Sequence, residues 1–147
     1  MLVYNNGRFY AGKSSFALPN GSRINTDLEL VHKCGFGIYP PSGNSYYIDV
    51  EYCIANESAE TALSQDLEAL GLDTIPKPVK FEKATGWEAT THLSTESVYE
   101  VWFDVNQNSE EAVETRLEII VSAKASEDIA KIKDSEFVQQ FLNSIEP

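Results

Sequence analysis

Histidine, cysteine and basic residues are scarce in this chain, and each shortage closes a class of function. There are two cysteines, Cys34 and Cys53, and they form no Cys-x-x-Cys pair, so a zinc site or thioredoxin-type centre lacks its ligands. Both are expected as free thiols, since pairing needs Cα atoms within about 7 Å and an oxidising compartment. A nucleophilic cysteine also needs a lowered pKa and an orienting third group, and nothing beside Cys34 supplies one. Of the two histidines, His32 stands between Val31 and Lys33, an ordinary surface setting. No serine lies in Gly-x-Ser-x-Gly, and there is no Walker loop or Rossmann glycine pattern. No catalytic residue, metal ligand or cofactor is therefore assigned from sequence. Lysine and arginine number 11 against 23 aspartate and glutamate, a formal charge of −12. Such a surface repels phosphates, which disfavours nucleic acid and anionic membrane and leaves a neutral or basic protein as the easier partner.

Long apolar runs are absent too. None approaches the roughly 20 residues that cross a bilayer, so no transmembrane segment is expected. Met1-Leu2-Val3-Tyr4-Asn5-Asn6 has neither a basic n-region nor a long apolar stretch, so no signal peptide is visible. A native start implies a cytoplasmic protein; a chain trimmed of a leader would be secreted or lipid-anchored, and localisation stays open.

What is present is enough apolar matter for one α+β domain over residues 1–147, at 42% hydrophobic and 11% aromatic. Asn5-Asn6-Gly7 signals a hairpin turn, and Pro19-Asn20-Gly21 stops a short strand after Phe16-Ala17-Leu18. Residues 24–34 alternate in part but also offer helix caps, and are left ambiguous. Residues 35–39 and 46–54 read as strands around a Pro-Gly loop. Ala59, Ala62, Leu63, Leu67 and Leu70 form one stripe, predicting a helix over about 57–70 that stops at Gly71. A connection with Pro76 and Pro78 follows, then strands over about 85–93, 97–105 and 115–123. The near-continuous Leu117, Ile119, Ile120 and Val121 mark a central strand. Phe137, Val138, Phe141, Leu142 and Ile145 give a terminal helix over about 135–145, with a short helical turn before it. Short turns between successive strands favour an antiparallel sheet, of about five to seven strands flanked by two main helices.

The richest stretch is Val98-Tyr99-Glu100-Val101-Trp102-Phe103-Asp104-Val105. Alternate side chains of a strand face opposite ways. Tyr99, Val101, Phe103 and Val105 read as core, and Glu100, Trp102 and Asp104 as the other face. Applied to the neighbouring segments, the same rule gathers Tyr47, Asp49, Glu51, Glu88, His92, Glu100, Trp102 and Asp104 on one acidic, aromatic surface, with Arg116 and Glu118. Trp87, Ala89 and Thr91 are assigned to the core side. Three uses of that surface compete: a solvated sheet face, a partner-binding face anchored by an exposed Trp102, and a metal or acid/base site pairing His92 with Glu88 or Glu100. The binding face is the reading adopted, and Trp102→Ala with Glu100→Lys is expected to abolish binding without unfolding the domain. The alternative is a small metal-dependent or acid/base enzyme centred on His92 and its neighbouring carboxylates.

The pattern resembles the PsbP-like superfamily, which includes a photosystem II extrinsic subunit, a Ran-binding import factor and type VI effector chaperones. The likeness rests on Phe16-Ala17-Leu18-Pro19-Asn20-Gly21, on a mid-chain helix followed by three strands, and on Phe137 with Phe141-Leu142-Asn143-Ser144-Ile145. It implies an antiparallel sheet flanked by helices and an adaptor or accessory role without catalysis. The resemblance implies that both sheet faces are covered, whereas the alternation here implies one polar face.

Overall fold

The computed structural model describes residues 2–11, 14–25, 35–105 and 115–146. Among these, the strands are β1 (Leu2–Asn5), β2 (Arg8–Ala11), β3 (Ser14–Phe16), β4 (Arg23–Asn25), β5 (Gly35–Tyr39), β6 (Tyr46–Ile54), β7 (Lys77–Lys80), β8 (Thr85–His92), β9 (Glu96–Asp104) and β10 (Thr115–Lys124). The helices are α1 (Ala59–Ala69), α2 (Ile129–Lys133) and α3 (Glu136–Asn143). Strands β4-β5-β6-β10-β9-β8-β7 form one antiparallel sheet in that order, and β1-β2-β3 form a smaller one. The class is α+β, as expected. Of the ambiguous segment 24–34, β4 takes up 24–25; the rest of it, with His32 and Cys34, and the 106–109 loop lie outside the described residues.

Local chemistry explains the elements. Asn6 and Gly7 both hold positive φ (52° and 81°), the pair a tight primed hairpin turn requires, so β1 and β2 pair across it. Ser58 caps α1 by accepting from the Thr61 N–H, so the helix begins at Ala59 rather than 57. Gly71, at φ 74°, ends it: its N–H bonds Glu68 O at 2.9 Å and the Leu72 N–H bonds Leu67 O at 3.1 Å. Ser135 caps α3 and Asp128 caps α2, dividing the C-terminal helical region in two. Pro78 sits in β7, an edge strand, where a missing N–H does no harm. β10, the long apolar strand, is the fourth of seven.

The principal core lies on one face of the large sheet. Ile48 and Val50, Leu117, Ile119 and Val121, and Tyr99, Val101 and Phe103 meet there beneath Ile129, Val138, Phe141 and Leu142 of α2 and α3. Phe16 of the small sheet meets Phe141 edge-on at 5.6 Å. Ser15 and Glu146 exchange two backbone bonds of 2.7 Å, tying the small sheet to the end of α3. No helix of the described residues is long and apolar enough to cross a membrane.

The second face is decided by a connection. The chain leaves β6 near one side of the sheet and resumes at β7 on the opposite edge, so it must cross the sheet. α1 makes that crossing. Its Ala59, Ala62, Leu63 and Leu67 settle on Ala89 of β8 and Trp102 of β9, with Trp87 and Leu72 at the margin. Both faces therefore carry helices, against the expectation of one open polar face.

Candidate binding cleft on the second sheet face

Pairing across β6, β10 and β9 brings Tyr47, Asp49, Glu51, Arg116, Glu118, Glu100, Trp102 and Asp104 to the α1 side, as the alternation implied. Two residues expected with them are elsewhere. β8 pairs with β9 so that Trp87 opposes Trp102 and Glu88 opposes Val101. Glu88 and His92 thus project to the α2–α3 side, and Trp87, Ala89 and Thr91 to the acidic side. The assignment of β8 was inverted because its more apolar set faces α1 rather than the principal core. Glu88 accepts from the Tyr99 hydroxyl and has Lys133 Nζ at 4.0 Å. His92 is exposed, with Nδ1 3.2 Å from Ser97 Oγ. The sheet separates His92 from Glu100, and four residues along a strand put it about 13 Å from Glu88.

Trp102 is not an exposed anchor. It is 4% exposed, held under α1 with the Arg116 guanidinium 4.8 Å above its ring. Asp104 is committed as well: its Oδ1 accepts from the Ala59 N–H at 2.7 Å, placing a negative charge at the positive end of α1. Glu51, Glu100 and Glu118 are all buried. Burial first, then the charges of Asp66 and Glu118, push the Glu100 carboxyl up to about 7.

Ligand atoms of Glu51, Cys53 and Glu118 lie within 4.8 Å of one another. Glu118 Oε2 already receives Arg116 Nε at 2.9 Å and the Cys53 thiol at 3.3 Å. Burial, reinforced by Glu118, pushes that thiol up to about 12, so it is protonated near neutrality and no nucleophile. A cation entering here would have to displace both a guanidinium and a proton.

A cleft opens at the far end of this face. Tyr39, Asn44, Ser45, Tyr46, Tyr47, Thr95, Glu96, Ser122, Ala123 and Lys124 line this cleft of about 300 Å³. The Tyr39 and Tyr47 rings are 5.8 Å apart at 43°. Arg23 stiffens the rim, stacking 5.5 Å from the Tyr39 ring while donating to Pro40 O at 2.9 Å, to Asn44 Oδ1 at 2.8 Å and to Gly43 O. Burial raises the Tyr47 pKa; the Ser122 hydrogen bond opposes this, and the charges of Asp49 and Glu96 add to it. Both carboxylates therefore bear on the phenol. Of the expected site residues, Tyr47 lines the cleft, and Asp49 acts on it electrostatically. Tyr39, Glu96 and Lys124 were missed. The hairpin of residues 35–39 and 46–54 carried the signal for Tyr39, since a turn over 40–45 sets it beside Tyr47.

No protein-family model and no curated protein matches the chain. Its fold is similar to that in a crystal structure of a protein from Bacteroides thetaiotaomicron VPI-5482, with TM-score 0.54 and 11% identity, over 90% of this chain and 44% of that one. The chain thus spans less than half the length of that protein, and the likeness is one of fold alone.

Proposed function

We propose that this chain is a non-catalytic binding domain, an adaptor or accessory protein that holds a neutral or basic segment of a protein partner in the Tyr39–Tyr47 cleft. The observation that carries the proposal is the cleft itself: two adjacent tyrosine rings under the influence of Asp49 and Glu96, on a rim locked by Arg23. Tyrosine offers a rigid apolar body with a polar tip, and its ring face attracts ammonium and guanidinium groups. Arg23 already occupies Tyr39 in this way. The Tyr47 phenol is neutral at physiological pH at its ordinary value, and burial moves it further from ionisation, which suits recognition rather than proton transfer. The charge of −12 favours capture of a basic segment and makes that capture salt-sensitive. The PsbP-like resemblance, with its adaptor and chaperone roles, belongs to the same proposal. The rival enzyme reading was built on His92 beside Glu88 or Glu100, and those groups do not converge.

The test is an NMR titration of labelled protein with unstructured basic, neutral and acidic peptides. Saturable shifts at Tyr39, Tyr47, Glu96 and Lys124 with the basic or neutral peptide, weakened about tenfold in Tyr39→Ala, are expected. Unchanged affinity in folded Tyr39→Ala, or equal binding of the acidic peptide, rejects it. Stoichiometric metal in protein purified without chelator, lost on His92→Ala, would favour the enzyme.

A further inference from the structure

Among the described residues the two sheets end in four edge strands, β4 and β7 of the large sheet and β1 and β3 of the small one. Three are blunted against a further strand. β7 carries Lys77, Pro78 and Lys80, and charge and proline both discourage edge pairing. β3 is closed by the Glu146 main chain, which exchanges two bonds with Ser15. β4 is three residues long and bears Arg23. β1, Leu2-Val3-Tyr4-Asn5, has no charge and no proline, and its Val3 and Tyr4 are 53% and 63% exposed.

The hairpin fixes what β1 offers. Asn6 and Gly7 form a two-residue turn, so Asn5 and Arg8 are a hydrogen-bonded pair, and alternation along the ladder makes Val3 and Tyr10 the next. The main-chain groups of Leu2 and Tyr4 therefore point away from β2, toward the open edge. Tyr10, 36% exposed beside Val3, extends the apolar face across the hairpin. Charge selects the occupant. Residues 1–26 hold no aspartate or glutamate, in a chain that carries 23 of them. Arg8 of β2 is already bound to Ser144 O at 2.6 Å and lies 3.7 Å from Glu146 Oε2. The edge is thus an uncharged place on a molecule of charge −12, where another copy approaches with least repulsion.

We propose that β1 is a self-association edge: two copies of this chain pair through it, antiparallel about a twofold axis at Val3. In that register Leu2 of each copy opposes Tyr4 of the other, which satisfies the outward main-chain groups of both, and Val3 opposes its own counterpart. The product is a six-stranded sheet, β3-β2-β1-β1-β2-β3, with Val3 and Tyr10 of both copies in one apolar row. Four residues span only about 13 Å, well short of the roughly 20–30 residues a side of a standard interface, so the dimer forms at high concentration. None of these residues lines the Tyr39–Tyr47 cleft, so the association and the cleft's ligand stand or fall separately.

Sedimentation velocity from about 10 μM to about 1 mM tests it, and the wild type should pass from monomer to dimer. Val3→Lys and Val3→Glu each set like charges opposite one another across the axis and should weaken association about tenfold or more. An equimolar mixture of the two should restore it, because lysine then faces glutamate. Circular dichroism establishes that both variants fold. A wild type that stays monomeric to about 1 mM overturns the proposal, even if an added extended apolar peptide shifts the Tyr4 amide, which would mark the edge as a site for a foreign strand. Folded Val3→Lys that dimerises like the wild type overturns it too. Should a variant not fold, amide exchange in the wild type decides: Leu2 and Tyr4 should exchange more slowly as concentration rises while α3 is unchanged, and rates independent of concentration end the proposal.

Discussion

Trp102→Ala should destabilise this protein rather than merely disarm it. Trp102 lies beneath Ala59, Ala62, Leu63 and Leu67 of α1 and opposite Trp87, with Arg116 on its ring. Truncating a buried aromatic to alanine costs about 3–5 kcal/mol. Loss of the guanidinium stacking adds about 0.5–2 kcal/mol at a desolvated site. Domains of this kind are stable by only about 5–15 kcal/mol. With a urea slope of about 2 kcal/mol/M, the unfolding midpoint should fall by about 2–3.5 M. The loss should appear in tryptophan fluorescence and in far-ultraviolet circular dichroism at the same urea concentration, because α1 is seated on this side chain. An exposed anchor would lose no more than about 0.5 kcal/mol. A midpoint shift below about 0.3 M, with the slope unchanged, would refute the burial of Trp102 and restore the exposed-face expectation. The Trp102→Ala, Glu100→Lys pair, conceived to remove binding from an intact domain, is instead expected to remove the domain.

Two further predictions concern stability. Displacement of the Glu100 carboxyl from 4.5 to about 7 implies a contribution that is fully present below pH 4.5 and is lost as pH climbs through 7, at most about 3 kcal/mol; urea titrations at pH 5 and 8.5 should differ by that order in the wild type and by much less in Glu100→Gln. A Cβ on Gly86 would stand 2.9 Å from two ring carbons of fully buried Phe103 and 3.0 Å from Trp102 O, so Gly86→Ala should cost about 1–3 kcal/mol, read as a melting temperature lower by several degrees; an unchanged melting temperature would mean that the ring yields freely.

Much of the fold was legible because it follows from near neighbours. Period-two alternation marked β6, β8, β9 and β10, the stripe ending at Gly71 marked α1, and Asn6-Gly7 marked the first hairpin. The acidic face was legible in part: six of the eight expected residues share it, Tyr47, Asp49, Glu51, Glu100, Trp102 and Asp104. Glu88 and His92 were misplaced because alternation gives each strand two faces without saying which one meets a neighbour's. In β8 the apolar set was taken for the principal core when it belongs to the smaller core under α1.

Composition and local pattern settled the class, the central place of β10, the helix stop at Gly71 and the acidic character, since each depends on residues a few positions apart or on totals. Which part of the acidic face the helix covers depends on the path from β6 to β7. That path carries α1 over Trp102 and leaves Tyr39 and Tyr47 at an accessible end. Such an outcome rests on strands distant in sequence meeting in one sheet, and no window of neighbouring residues encodes it.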